Sequence, residues 1–107
     1  MHNEIKKIAG QVAQIIAEGI KVNQIFLFGS YASGIDNADS DLDIFVVADL
    51  KNEKKIDLTQ KARRLLLKKI TMPVDIILCD TNDFKNKKEN RTTLEYIIST
   101  QGIKLYG

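Results

Sequence analysis

Three aspartates and one glycine–serine pair are the residues whose types and spacing could do chemistry. Asp41 and Asp43 flank Leu42. In an extended segment, residues two apart leave the same face, roughly 7 Å from one another. Carboxylates so placed repel unless a cation lies between them. A hard divalent ion takes oxygen ligands, and magnesium characteristically combines a few carboxylates with substrate phosphate oxygens. Taken alone, the pair could equally close a loop. Asp75 interrupts the apolar run Val74, Ile76, Ile77, Leu78 and Cys79. A charge in a buried strand must be paired or bound to metal, so Asp75 is either the third ligand of a two-metal site or the partner of Lys68 or Lys69. Gly29-Ser30 ends another apolar run. Glycine lets backbone N–H groups approach a phosphate closely, and a following helix turn favours negative charge. The Ser30 hydroxyl could add a contact to phosphate or metal. The plain alternative is a tight turn capped by serine.

Positioning these groups requires strands that end or begin beside them. Residues 24–28 (Gln-Ile-Phe-Leu-Phe) and 42–48 (Leu-Asp-Ile-Phe-Val-Val-Ala) read as strands, and Pro73 opens a third from Val74 to Cys79. Ile5, Ile8, Val12, Ile15 and Ile16 recur at helical spacing over 3–18, ending near Gly19. Ile56, Leu58, Ala62, Leu65, Leu66 and Ile70 do the same over 53–70. Residues 31–41, with Gly34, Asp36, Asn37, Asp39 and Ser40, read as a loop after a short helical turn. Residues 81–91 read as irregular or loosely helical. Leu94, Ile97 and Ile98 mark a last helix before Gly102, with Tyr96 on its apolar stripe, and 103–106 as a short extended piece. The expectation is an α/β (α+β) fold: a small mixed β-sheet flanked by helices, forming one domain over residues 1–107.

Composition narrows the function. The chain of 107 residues is 44% hydrophobic and 28% charged, a globular balance. Sixteen basic against fourteen acidic residues leave a net charge of +2, so bulk charge does not argue for direct nucleic-acid binding. Basic residues cluster at Lys51, Lys54 and Lys55, at Lys61, Arg63 and Arg64, at Lys68 and Lys69, and over Lys85–Lys88. Solvated faces are the default for such runs, with guidance of an anionic substrate or an acidic partner as the other reading. Arg91 and the Lys85–Lys88 run could guide an anionic substrate or meet a partner, and Tyr31, next to Ser30, could sit near the bound substrate or simply pack. Cys79 is the only cysteine. It excludes an intramolecular disulfide and reads as a buried, inert thiol in a reducing compartment. His2 has no second histidine and reads as part of a disordered terminus. With no signal peptide and no membrane span in the sequence, a cytoplasmic protein is expected.

Gly29-Ser30, ten intervening residues and Asp41-x-Asp43 together resemble the signature of the nucleotidyltransferase superfamily that includes DNA polymerase beta. Within it, the chain resembles the minimal nucleotidyltransferases of bacteria and archaea. The likeness runs from the first strand through Asp75 to Gly102-Ile103-Lys104-Leu105-Tyr106, similar to the Gly-x-x-Leu-Tyr close of these domains. The resemblance implies a polymerase beta-like fold and roles for each motif residue. Asp41 and Asp43 would hold two Mg²⁺ ions. Asp75 would complete the shell of the catalytic ion and help deprotonate the attacking hydroxyl. Gly29 and Ser30 would cradle the β- and γ-phosphates of ATP.

Minimal nucleotidyltransferases resembling this chain are paired with HEPN toxins, and the transferase acts as antitoxin by moving AMP from ATP onto a toxin tyrosine. As a single minimal domain, without the helical part that walls in an aminoglycoside in larger relatives, the chain is expected to act on a macromolecular acceptor. The leading expectation is therefore AMP transfer to a HEPN-type partner. Two alternatives stand beside it: an antitoxin that neutralises by binding alone, and a small-molecule nucleotidyltransferase acting as a homo-oligomer.

Overall fold

The computed structural model describes residues 3–35 and 40–107. The expectations placed on His2, Asp36, Asn37 and Asp39 lie outside the described residues. In chain order the elements are α1 (Asn3–Gly19), β1 (Gln24–Phe28), α2 (Ser30–Ser33), β2 (Leu42–Ala48), α3 (Lys55–Leu66), β3 (Val74–Asp80), α4 (Thr81–Lys87), α5 (Leu94–Gln101) and β4 (Ile103–Tyr106). The strands form a mixed sheet in the order β3-β2-β1-β4. β1 pairs antiparallel with both β2 and β4. β2 and β3 are parallel, which demands a crossover, and α3 supplies it.

Strand alternation splits the apolar residues between two faces. Ile25 and Leu27 of β1, Ile44 and Val46 of β2, and Ile76 and Leu78 of β3 face a core completed by Val12 and Ile16 of α1 and Leu58, Ala62 and Leu66 of α3. The opposite face presents Phe26, Phe45, Val47 and Cys79 to Phe84 of α4 and Ile98 of α5. Phe84 is the anchor there, with ring centroids 5.8 Å from both Phe26 and Phe45. Offset aromatic contacts of this kind add to the area they bury. No helix among the described residues is long and apolar enough to cross a membrane.

Several boundaries differ from the sequence expectation. The second long helix ends at Leu66 rather than 70, where the chain tightens into turns closed three residues back, Leu67 donating its amide to the Arg64 carbonyl at 3.3 Å and Lys69 to that of Leu66 at 3.0 Å. Ile70 still packs against the core from that turn. Ile56, expected on the buried face, is 58% exposed. The segment after β3 forms a regular helix, α4, because the Asp80 carboxylate accepts the Asn82 amide at 3.0 Å and caps it. On α5 only Ile98 is buried; Leu94 and Ile97 are exposed and Tyr96 is half-buried, so Tyr96 is not the core residue its stripe suggested.

Candidate functional site

Asp43 is the second residue of β2, and parallel pairing sets it directly beside Asp75 of β3. Neighbouring strands lie about 4.8 Å apart, so the two side chains leave the same face on adjacent strands. That face is the one carrying Phe45, Val47 and Cys79. Asp75 therefore points to the side of the sheet that Asp43 occupies, as a shared site requires. Asp41 precedes β2 by one residue and is exposed. Asp43 feels all three effects that the cluster predicts. Its carboxyl is raised above the ordinary carboxylate range by burial first, then by the negative charge of Asp75, then by that of Asp41.

The glycine–serine pair closes on the same point. Antiparallel pairing aligns Phe28, the last residue of β1, with Asp43, so Gly29 emerges beside the Asp43 carboxylate. Gly29 adopts φ 77 and ψ −152, a conformation essentially confined to glycine. A Cβ there would collide with Asp43 Oδ2 and stand 3.0 Å from its Cγ. Glycine is thus required twice, by the backbone turn and by the proximity of the acid. Ser33 secures the turn, its amide and hydroxyl donating to the Gly29 carbonyl at 3.1 and 3.0 Å. Ser30 begins α2, with its amide immediately after the glycine.

Two further residues shape the site. Tyr31 is buried in the core, and its hydroxyl donates to the Ser40 carbonyl at 3.3 Å. Of its two sequence readings, packing is the one observed. Arg63 of α3 places a guanidinium nitrogen 3.9 Å from Asp75 Oδ1, with both side chains 55% exposed. This corrects two expectations. Asp75 is not a buried strand charge, because β3 is the edge of the sheet, and its cationic neighbour is Arg63 rather than Lys68 or Lys69. The β2–α3–β3 crossover lays α3 alongside β3, which is the signal that could have pointed to Arg63. Lys85 lines a cleft with Asp49, Lys51 and Asp80 beyond the other end of β2 and β3, about 20 Å from Asp43 along the strand. It does not belong to this constellation.

The donor set suits a hard divalent cation: oxygen ligands only, all acidic, gathered around Asp43 beside a cradle that a single Cβ would fill. Among the described residues no three Asp, Glu, His or Cys side chains stand close enough to enclose an ion by themselves. Magnesium does not ask for such a cage, since it completes its shell with phosphate oxygens and water. Cys79 is buried, and its thiol is pushed up to about 11 by burial and by Glu95, which accepts from Sγ at 3.7 Å. It matches the inert thiol expected.

Comparison with known proteins points the same way. A presumed protein adenylyltransferase of Methanocaldococcus jannaschii is 36% identical over 75 residues, which span 70% of this chain and 75% of the relative. A chain of a toxin–antitoxin crystal structure with AMP-PNP superposes with a TM-score of 0.54 at 29% identity, covering 99% of this chain and 74% of the other. A chain of the tri-AMPylated Shewanella oneidensis HEPN toxin in complex with MNT antitoxin superposes with a TM-score of 0.53 at 25% identity, covering 96% and 72%. The model of the family described as polymerase beta, nucleotidyltransferase, matches residues 10–107. With nearly its whole length accounted for in this way, the chain belongs to the polymerase beta nucleotidyltransferase family and is a nucleotidyltransferase.

Proposed function

We propose that this protein transfers AMP from ATP to a tyrosine hydroxyl of a HEPN-type toxin and so acts as an antitoxin. The observation that carries the reading is the cross-strand pairing of Asp43 with Asp75 beside Gly29. The relative from M. jannaschii, the toxin–antitoxin structure with AMP-PNP and the AMPylated HEPN complex support the donor and the acceptor class.

Asp41, Asp43 and Asp75 would hold two magnesium ions. When bound, these lower the pKa of the attacking hydroxyl and neutralise charge on the departing pyrophosphate. The chain's own groups do the rest. Burial and then the negative charges of Asp75 and Asp41 raise the Asp43 carboxyl, and a cation held among the three acids would offset that repulsion. The backbone at Gly29 and Ser30, unobstructed by a side chain at the turn, receives the β- and γ-phosphates. Asp75, on the open edge strand, faces the incoming hydroxyl and accepts its proton as the oxygen bonds to the α-phosphorus. The bond from the α-phosphorus to the bridging oxygen breaks, and pyrophosphate leaves. The chain needs no nucleophile of its own, so the rate rests on positioning and electrostatics.

The test is incubation of the purified chain with Mg²⁺, labelled ATP and a HEPN-type toxin. The expected result is an AMP mass increment on a toxin tyrosine. Absence of any increment with each of the four nucleoside triphosphates overturns the assignment. Paired substitution Asp41→Asn with Asp43→Asn separates transfer from occlusion: if the variant still neutralises the toxin fully at equal abundance, binding alone is the mechanism.

A further inference from the structure

Along the outer side of the site, the end of α3 and the edge strand β3 enclose an apolar groove of about 250 Å³. Leu66, Leu67, Ile70, Met72 and Ile76 line it, and Arg63 stands at its rim. Leu67 is 76% exposed, among the most exposed large apolar side chains of the described residues. The volume falls below the roughly 300–1,000 Å³ of small-molecule pockets and suits one or two side chains of a docked segment.

We propose that this groove docks an acidic, apolar-anchored segment of the partner protein that carries the accepting hydroxyl. The inference rests on the transfer reaction proposed above. Two observations carry it. The first is continuity around the sheet edge: Arg63 belongs both to the groove and to the 3.9 Å pairing with Asp75, so it joins the groove on one face of β3 to the acid on the other. A segment seated here leads over the edge of β3 directly onto the acid that faces the acceptor. The second is charge. Between Asp57 and Asp75 the chain carries Lys61, Arg63, Arg64, Lys68 and Lys69 and no acidic residue. Lys68 and Lys69, both exposed, stand between groove residues Leu67 and Ile70. An apolar slot with Arg63 in its wall and exposed Lys68 and Lys69 in the turn between its lining residues selects large apolar side chains flanked by acids. The same cations oppose a symmetric dimer through this face, since a two-fold axis would set like charges against each other.

Two surface variants test the groove: Leu67→Asp, and Lys68→Glu combined with Lys69→Glu. Affinity for a purified HEPN-type toxin is measured by calorimetry, and transfer by steady-state kinetics. Each variant is expected to weaken binding and raise the KM for toxin by about tenfold or more. The KM for ATP and the kcat at saturating toxin should stay within about twofold of wild type. Unchanged affinity in both variants overturns the docking surface, as does a wild-type self-dimer that Leu67→Asp dissociates. If the wild type binds the toxin through this groove yet transfers nothing, the docking surface stands and the assigned reaction falls. If transfer proceeds with unaltered KM in both variants, the reaction stands and the groove falls.

Discussion

The buried hydroxyl of Tyr31 donates to the main-chain carbonyl of Ser40 across 3.3 Å, joining the helical turn that follows Gly29 to the residue that precedes Asp41. One side chain thus spans the two halves of the motif: the turn assigned to phosphate and the acids assigned to metal. Tyr31→Phe keeps the ring in the core and deletes the link. Loss of one part-buried hydrogen bond should cost about 1 kcal/mol of stability. Activity should fall by more than that through misplacement of Asp41, with kcat about tenfold lower. Thermal melts and steady-state kinetics check this together. A Tyr31→Phe enzyme with wild-type kcat at any magnesium concentration would show that the link serves folding only.

Asp43 makes a prediction about pH. Its folded-state carboxyl lies above the ordinary range because of burial and its two acidic neighbours. In the metal-free protein this group therefore favours the folded state while protonated, and that benefit is lost as pH rises through its folded value. Asp43→Asn should consequently leave the metal-free protein more stable than wild type at pH 7. Because the carboxylate is still partly solvated, screening holds the gain to about 0.5 kcal/mol or less. The difference should vanish as pH falls below the ordinary carboxylate value of 3.8. Transfer activity should drop by about 10³-fold or more, and added Mg²⁺ should raise the Tm of wild type but not of the variant. A variant less stable than wild type at neutral pH without metal would contradict the repulsion.

Short continuous apolar runs made the central strands legible: Ile-Phe-Leu-Phe in β1, stopped by Gly29-Ser30, and Ile-Phe-Val-Val in β2 read as buried strands, and both match the residues expected. The pairing of Asp43 with Asp75 was not legible, because it depends on the register of two strands separated by a whole helix. The exposure of Asp75 escaped for a related reason. An apolar run such as Val-Asp-Ile-Ile-Leu-Cys reads as buried, but its place at the sheet edge is decided by topology. Arg63 lay in a basic run that local reasoning assigns to solvent, and only the crossover carries it to Asp75. The helix α4, one of two readings for 81–91, was hard to fix because its sole buried apolar residue is Phe84 and its start depends on the Asp80 cap.

Cys79 predicts a chemical inertness. With its thiol pushed up to about 11 by burial and Glu95, only about 0.1% would be thiolate at pH 8, against about a quarter for a free cysteine. Modification of the native protein by a soluble disulfide reagent at pH 8 should run at least ~100-fold slower than after unfolding in denaturant. Rapid stoichiometric labelling of the folded chain would refute the burial of this side chain.

Gly29 offers the sharpest dissection, because two separable causes demand a glycine there. Its φ of 77 and ψ of −152 cost any other residue about 1–3 kcal/mol wherever the side chain points. The collision with Asp43 is a second penalty that depends on the acid being present. Gly29→Ala should therefore destabilise the wild-type chain by more than the conformational cost alone and abolish transfer. In an Asp43→Ala background the same substitution should keep only the conformational part. The double-mutant cycle should return a coupling of about 0.5–3 kcal/mol, measured by denaturant unfolding of the four proteins without metal. Zero coupling would mean that the glycine and the acid are not in contact. The phosphate cradle and the carboxylate cluster would then be separate features.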